Sequence, residues 1–155
     1  MKTGKIKKRV QPIKKDTAQK AVKTRERKDK IRKIKKSSMP DALDLVKKIT
    51  EIADQKSAFD FYALEVKELS SITDYFLLMS CKNERHIKAV VTEIDKKIFE
   101  ENRLKPFHIE GEYHSLWVVI DYGDVMVHVF HENTRKNYNL EELWKEGKII
   151  PLKTR

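Results

Sequence analysis

The sequence predicts an α/β domain, a mixed sheet of about five strands flanked by helices, carried behind a basic N-terminal extension. Three observations lead there. Apolar residues recur at helical spacing in two stretches, Leu45–Ala53 and Ile87–Ile98. Between them, Tyr75–Cys81 is a nearly continuous apolar run of strand length, as in a strand buried on both faces. Further on, Leu116–Phe130 alternates on either side of a glycine-containing turn, as a hairpin does.

The 155 residues suit one domain plus an extension. The net charge of +10 conceals a division. Residues 1–38 hold 17 Lys+Arg against three acids, a net of +14, and the remainder holds 17 bases against 21 acids, a net of −4. The large apolar residues of the extension, Ile6, Val10, Ile13, Val22, Ile31 and Ile34, form no sustained stripe. Such a segment buries too little to offset its ordering entropy. We expect it to be disordered alone and able to become helical from Asp16 to Lys36 on an anionic partner. Lysines dominate it and acids interrupt it, unlike an import peptide, and the start of the chain lacks the apolar stretch of a secretory signal. A single cysteine, Cys81, excludes an internal disulfide framework and points to a reducing compartment, and no apolar run approaches membrane-spanning length.

The domain is expected over residues 40–155. Asp41 is placed to cap a helix ending near Gln55, with Leu45, Val46, Ile49, Ile52 and Ala53 on its inner face. Phe59–Val66 reads as a strand, Ser70–Asp74 as a polar turn and Tyr75–Cys81 as a central strand. Asn83 caps a second helix to about Asn102, whose stripe is Ile87, Val90, Val91, Ile94 and Ile98. Phe107–Glu110 is a short strand. After the hairpin, Asn139 is placed to cap a last short helix with Leu140, Leu143 and Trp144 inward. This order implies antiparallel ββ steps and a parallel βαβ crossover.

The hairpin carries the functional argument. With Tyr122-Gly123 as its central pair, Asp121 would face Asp124, Val119 would face Met126 and Trp117 would face His128. One face is then aliphatic, with Leu116, Val118, Ile120, Val125, Val127 and Val129, and must be core. The other carries Trp117, Val119, Asp121, Asp124, Met126, His128 and Phe130. Trp and Met are enriched at protein interfaces, so this face suits a macromolecular partner. It equally suits burial under a second helix layer, and the pattern leaves both alternatives open. Two opposed aspartates disfavour a purely structural role unless they cap the turn.

The stretch Ser70-Ser71-Ile72-Thr73-Asp74-Tyr75-Phe76, then Glu110-Gly111, the run Trp117–Phe130, Arg135 and Tyr138-Asn139-Leu140-Glu141-Glu142-Leu143-Trp144 together resemble the ribosomal silencing factor (RsfS, or Iojap-like) family. The resemblance covers about Asp41–Trp144. It implies a nucleotidyltransferase-like fold without transferase activity. It also implies binding to the large ribosomal subunit at ribosomal protein L fourteen, which sterically blocks small-subunit joining and represses translation; organellar relatives act in large-subunit assembly. By motif position the implied contacts are Tyr75, Asp121, Tyr122, Asp124, His128 and Phe130, on the face matching Trp117; Met126, from the mixed hairpin face, would widen the apolar patch. The extension departs from the family pattern. Our separate expectation is that Lys7, Lys8, Arg9, Arg25, Arg27, Lys28, Arg32, Lys33, Lys35 and Lys36 contact ribosomal RNA phosphates.

The residues themselves argue against catalysis. A nucleotidyltransferase needs a Gly-Ser phosphate-binding turn and paired carboxylates on one strand. Here the central strand ends in Ser80-Cys81-Lys82, and Asp121 and Asp124 straddle a turn. The five histidines have no metal-site spacing, Cys81 lacks a catalytic constellation, and Ser70, Ser71 and Thr73 read as turn caps. No RRM or KH signature appears. The expectation is a cytoplasmic, non-enzymatic protein with no cofactor, metal, membrane or small-molecule substrate.

Overall fold

The computed structural model describes residues 40–155, and the basic extension lies outside the described residues. The elements run α1 (Ala42–Gln55), β1 (Phe59–Glu65), β2 (Tyr75–Cys81), α2 (Glu84–Asn102), β3 (His108–Glu110), a 3₁₀ turn (Tyr113–Ser115), β4 (Trp117–Asp121), β5 (Val125–His131), α3 (Glu132–Tyr138), α4 (Leu140–Leu143) and β6 (Lys148–Ile150).

Both long helices start at the expected caps. Asp41 Oδ1 accepts the Leu43 N–H at 2.9 Å, and Asn83 Oδ1 accepts the His86 N–H at 2.9 Å. The expected stripes are the buried faces of α1 and α2. They pack on one side of a six-stranded sheet ordered β3-β4-β5-β2-β1-β6. Only β2 and β5 pair in parallel; the other neighbours are antiparallel. The crossover from β2 through α2 therefore reaches β3 at the far edge, and the hairpin β4–β5 fills the gap back to β2.

The hairpin register differs from the expected one by two residues. Trp117 opposes Phe130, Val119 opposes His128 and Asp121 opposes Met126. The Tyr122 N–H donates to the Val125 carbonyl at 2.9 Å, so the central pair is Gly123-Asp124. Gly123 sits at φ 86°, the conformation that a tight hairpin turn asks of its first central residue. Side chains alternate with period two, so an even slip leaves both faces unchanged. Val118, Ile120, Val125, Val127 and Val129 are fully buried beneath the helices.

The C-terminal region departs further. A helix not expected from the sequence, α3, follows β5 directly, and the His131 side chain accepts the Asn133 N–H at its start. Asn139 does not cap α4 with its side chain; it is the left-handed residue, φ 43°, at which the chain turns from α3 into α4. Leu140 and Trp144 pack against the sheet, but Leu143 is 72% exposed instead of facing inward. The short edge strand β6 pairs with β1 and is the sixth strand.

Candidate protein-docking face

Trp117 lies in an aromatic cluster on the sheet face opposite α1 and α2. Its indole stacks on Phe130, with ring centroids 4.9 Å apart and planes 21° apart. Tyr138, at the end of α3, covers it from the other side at 4.6 Å. The indole N–H donates to His128 Nδ1 at 3.3 Å. Beside them, Phe76 sets its edge against His128 at 5.3 Å and meets Trp144 at 5.0 Å. Leu64, Val66, Phe76, Leu78 and Phe130 form a second, smaller core here, on which Tyr62, Trp117, Met126, Leu140 and Trp144 pack.

Helices therefore cover this face only in part. Helices α3 and α4 cover the β2 side of this face, and His128 and Phe130 are buried. Toward β4 the cover stops. Trp117, Val119, Asp121, Asp124 and Met126 keep part of their surface, and Tyr138 is exposed. What remains is a shallow apolar surface floored by Phe130, with Trp117 and Tyr138 on it and a carboxylate near the hairpin tip. The Asp121 carboxylate accepts the Gly123 N–H at 2.7 Å, a turn cap. The two aspartates are not opposed across the sheet, so the like-charge penalty anticipated from the sequence does not arise.

Two expected contact residues lie elsewhere. Tyr122 falls on the aliphatic side once the turn moves, and it is fully buried beneath α2. Burial and the nearby Asp95 carboxylate both raise its pKa. Tyr75 also points to the helix side, where its hydroxyl donates to Glu65 at 3.4 Å; it is half-buried and does not join Trp117. Conversely, Tyr138, the last residue of α3, joins Trp117 although the sequence reading did not count it among the contact residues; it stood in the family motif but on a helix with no apolar stripe.

His128 is held neutral. Desolvation pulls its pKa down to about 4. Since Nδ1 accepts from Trp117, the proton resides on Nε2, which is buried and has no hydrogen-bond partner among the described residues.

The cover is fastened by one side chain. Arg135 of α3 donates through Nε to Glu141 of α4 at 2.6 Å, and through one terminal nitrogen to Ser80 Oγ at 3.0 Å and to the Asp60 carbonyl. Asp60 sits in a bulge of β1 at φ 51°. The guanidinium therefore ties α3, α4, β1 and β2 together beside a cleft of about 420 Å³. That cleft opens at the Ser80 end of β2, whereas Asp124 lies at the opposite end, its carbonyl accepting the Asp74 and Tyr75 N–H groups. Cys81 is buried and desolvation pushes its thiol pKa up to about 12, which disfavours the thiolate.

Comparison with known proteins agrees with the motif reading. The family described as "Ribosomal silencing factor during starvation" matches residues 39–155. The chain is 37% identical over 109 residues to the ribosomal silencing factor RsfS of Halalkalibacterium halodurans, covering 70% of this chain and 92% of the relative. It is 38% identical over 99 residues to that of Bacillus subtilis, covering 64% and 83%. A mouse protein named "Mitochondrial assembly of ribosomal large subunit protein 1" is 31% identical over 98 residues, which is 43% of its length. Among solved structures, a Chromobacterium violaceum protein superposes with a TM-score of 0.65 at 25% identity, over 68% of this chain and 88% of that one. A Bacillus halodurans protein does so at 0.58 and 36% identity, over 71% and 96%. The chain belongs to the ribosomal silencing factor family.

Proposed function

We propose that this protein binds the large ribosomal subunit through ribosomal protein L fourteen and, by its bulk at the intersubunit surface, prevents the small subunit from joining, which represses translation in the cytoplasm. The observation that carries this reading is the half-covered Trp117. It is a large aromatic packed against Phe130 and Tyr138, yet it keeps part of its surface at the edge of an apolar patch. Pre-ordered aromatics of this kind are typical binding hot spots. The contact set we propose is Trp117, Met126 and Tyr138 as the apolar centre, with Asp121 and Asp124 supplying charge to bases of the partner. His128 and Phe130 support Trp117 from beneath. No bond is made or broken and no cofactor takes part.

The extension, residues 1–39, is assigned an auxiliary role, neutralising ribosomal RNA phosphates through Lys7, Lys8, Arg9, Arg25, Arg27, Lys28, Arg32, Lys33, Lys35 and Lys36. A second reading, assistance in large-subunit assembly, is favoured by the name of the mouse relative and uses the same docking face.

The test is a pull-down with separated ribosomal subunits, using the full chain, a variant lacking residues 1–38 and Trp117→Ala. Large-subunit binding should survive removal of the extension with a flatter salt dependence. It should weaken by at least roughly 1–2 kcal/mol in Trp117→Ala. Retained affinity in a folded Trp117→Ala protein would remove the docking face from the account.

A further inference from the structure

The domain carries a net negative charge, yet at the end of α2 two cations without carboxylate partners among the described residues lie beside exposed apolar side chains. Phe99 ends the exposed side of α2 and is 37% exposed, Phe107 just before β3 is 51% exposed and Ile109 is 42% exposed. The loop joining them supplies two cations, and both sit on the Phe99 ring. Lys105 Nζ lies 4.9 Å from its centroid and the Arg103 guanidinium carbon 5.7 Å from it. Neither cation pairs with a carboxylate among the described residues, and Lys96, also exposed, adds a third on the same helix. Of the neighbouring carboxylates, Glu101 is tied to Lys48 at 2.6 Å and Asp121 lies 3.8 Å from His108; Glu100 and Glu110 are exposed.

The backbone fixes this arrangement. Arg103 takes the left-handed conformation, φ 53°, that ends α2, and its N–H returns to the Phe99 carbonyl. The loop therefore folds back over the last helical turn. Phe107 is held by its N–H bond to the Asp121 carbonyl at 2.7 Å, and its ring closes over Gly123 at the hairpin tip.

We propose that Phe99–Ile109 is a contact surface for single-stranded RNA. Two partly exposed aromatic rings, one of them carrying two cations that make no ion pair among the described residues, suit an unstacked strand. A base stacks on Phe107, a second takes the Phe99 face as Arg103 and Lys105 turn from it, and the two cations neutralise the phosphates. A protein partner matched to the same rings and cations is the alternative that the cross-linking arm below reports. This surface lies on the helix side of the sheet, away from Trp117, and its chemistry does not depend on the docking reading.

The experiment uses the full chain and a fluorescently labelled single-stranded RNA of about 12 nucleotides. Backbone amide shifts map the contact, and anisotropy over a KCl series gives the affinity. The amides of Phe99–Ile109 should move on titration. Arg103→Glu with Lys105→Glu should flatten the slope of log K against log[KCl] by about 1.4, the value for two phosphates on a single strand. Phe99→Leu, with its amide dispersion retained, should bind at least about fivefold more weakly. Stationary Phe99–Ile109 amides, or unchanged slope and affinity in both variants, would overturn the proposal, as would cross-linking of this segment to ribosomal protein and not RNA on the large subunit. Subunit docking is read separately through Trp117→Ala, so either idea can fail without the other.

Discussion

The Trp117 indole N–H donates to His128 Nδ1, and this bond fixes the imidazole as a neutral ring protonated on Nε2. Protonating Nδ1 would break it and place a charge beside Phe76 and Phe130. The folded-state pKa of about 4 lies below the ordinary 6.5, so between these values the unfolded chain binds a proton that the folded one does not. Stability thus rises with pH through this window and is fully present above about pH 6.5. The contribution is at most roughly 3 kcal/mol. Melting temperature measured from pH 7.5 to 4 should fall, and His128→Asn should fall less steeply. Parallel curves for the two proteins would show that His128 is not the titrating group.

Two glycines of the β3–β5 region should respond differently to alanine. Both have positive φ, 97° at Gly111 and 86° at Gly123, so each substitution carries backbone strain of about 1 kcal/mol or more. At Gly123 the new methyl would meet the Phe107 ring at 2.8 Å, a side chain at the surface that can swing away. At Gly111 it would press into the Trp117 backbone carbonyl, which cannot move without disturbing β4. Gly111→Ala should therefore lose more stability, above roughly 2 kcal/mol, than Gly123→Ala in urea unfolding. Equal losses would mean that Phe107 is as fixed as the backbone.

The helices, the central strand and the two hairpin faces were legible in the sequence because each rests on periodicity, and periodicity survives an error of register. That is why moving the turn from Tyr122-Gly123 to Gly123-Asp124 left Val118, Ile120, Val127 and Val129 in the core. Tyr122 was misplaced by the same error, since a residue assigned to the turn has no face until the register is known. Tyr75 was misplaced for another reason. Motif position says nothing about which side of β2 it occupies, and its odd-numbered neighbours Leu77 and Met79 pack under the helices. Helix α3, only seven residues long, has no buried residue, so no apolar stripe announces it. Its role depends on Arg135 reaching Asp60 and Ser80, contacts 75 and 55 residues away in the chain.

Arg135 should be the residue on which the cover depends. Its side chain is only 11% exposed and bonds Glu141, Ser80 and the Asp60 carbonyl at once. A lysine can supply the charge but not the fork. Arg135→Lys should lose roughly 1–3 kcal/mol, with Arg135→Met losing at least as much because Glu141 is then unpaired. Trp117 and Trp144, the only two tryptophans, both pack against the second core, Trp117 against Tyr138 at the end of α3 and Trp144 at the end of α4. Loosening the cover should therefore shift the emission to longer wavelength at denaturant concentrations that leave far-ultraviolet circular dichroism unchanged. Coincident transitions in Arg135→Lys would mean that the cover and the sheet unfold together.

Asp121 combines a structural bond with a charge at the proposed docking face, and two substitutions separate them. Asp121→Asn keeps an oxygen for the Gly123 N–H and should change stability little. Asp121→Ala removes the acceptor and should lose about 1 kcal/mol. Both remove the charge. If that charge steers the domain toward basic residues on the large subunit, both should bind more slowly, with association less sensitive to salt, while dissociation changes less. Stopped-flow association with large subunits at several KCl concentrations reads this directly. An Asn variant with wild-type association at low salt would confine Asp121 to capping the turn.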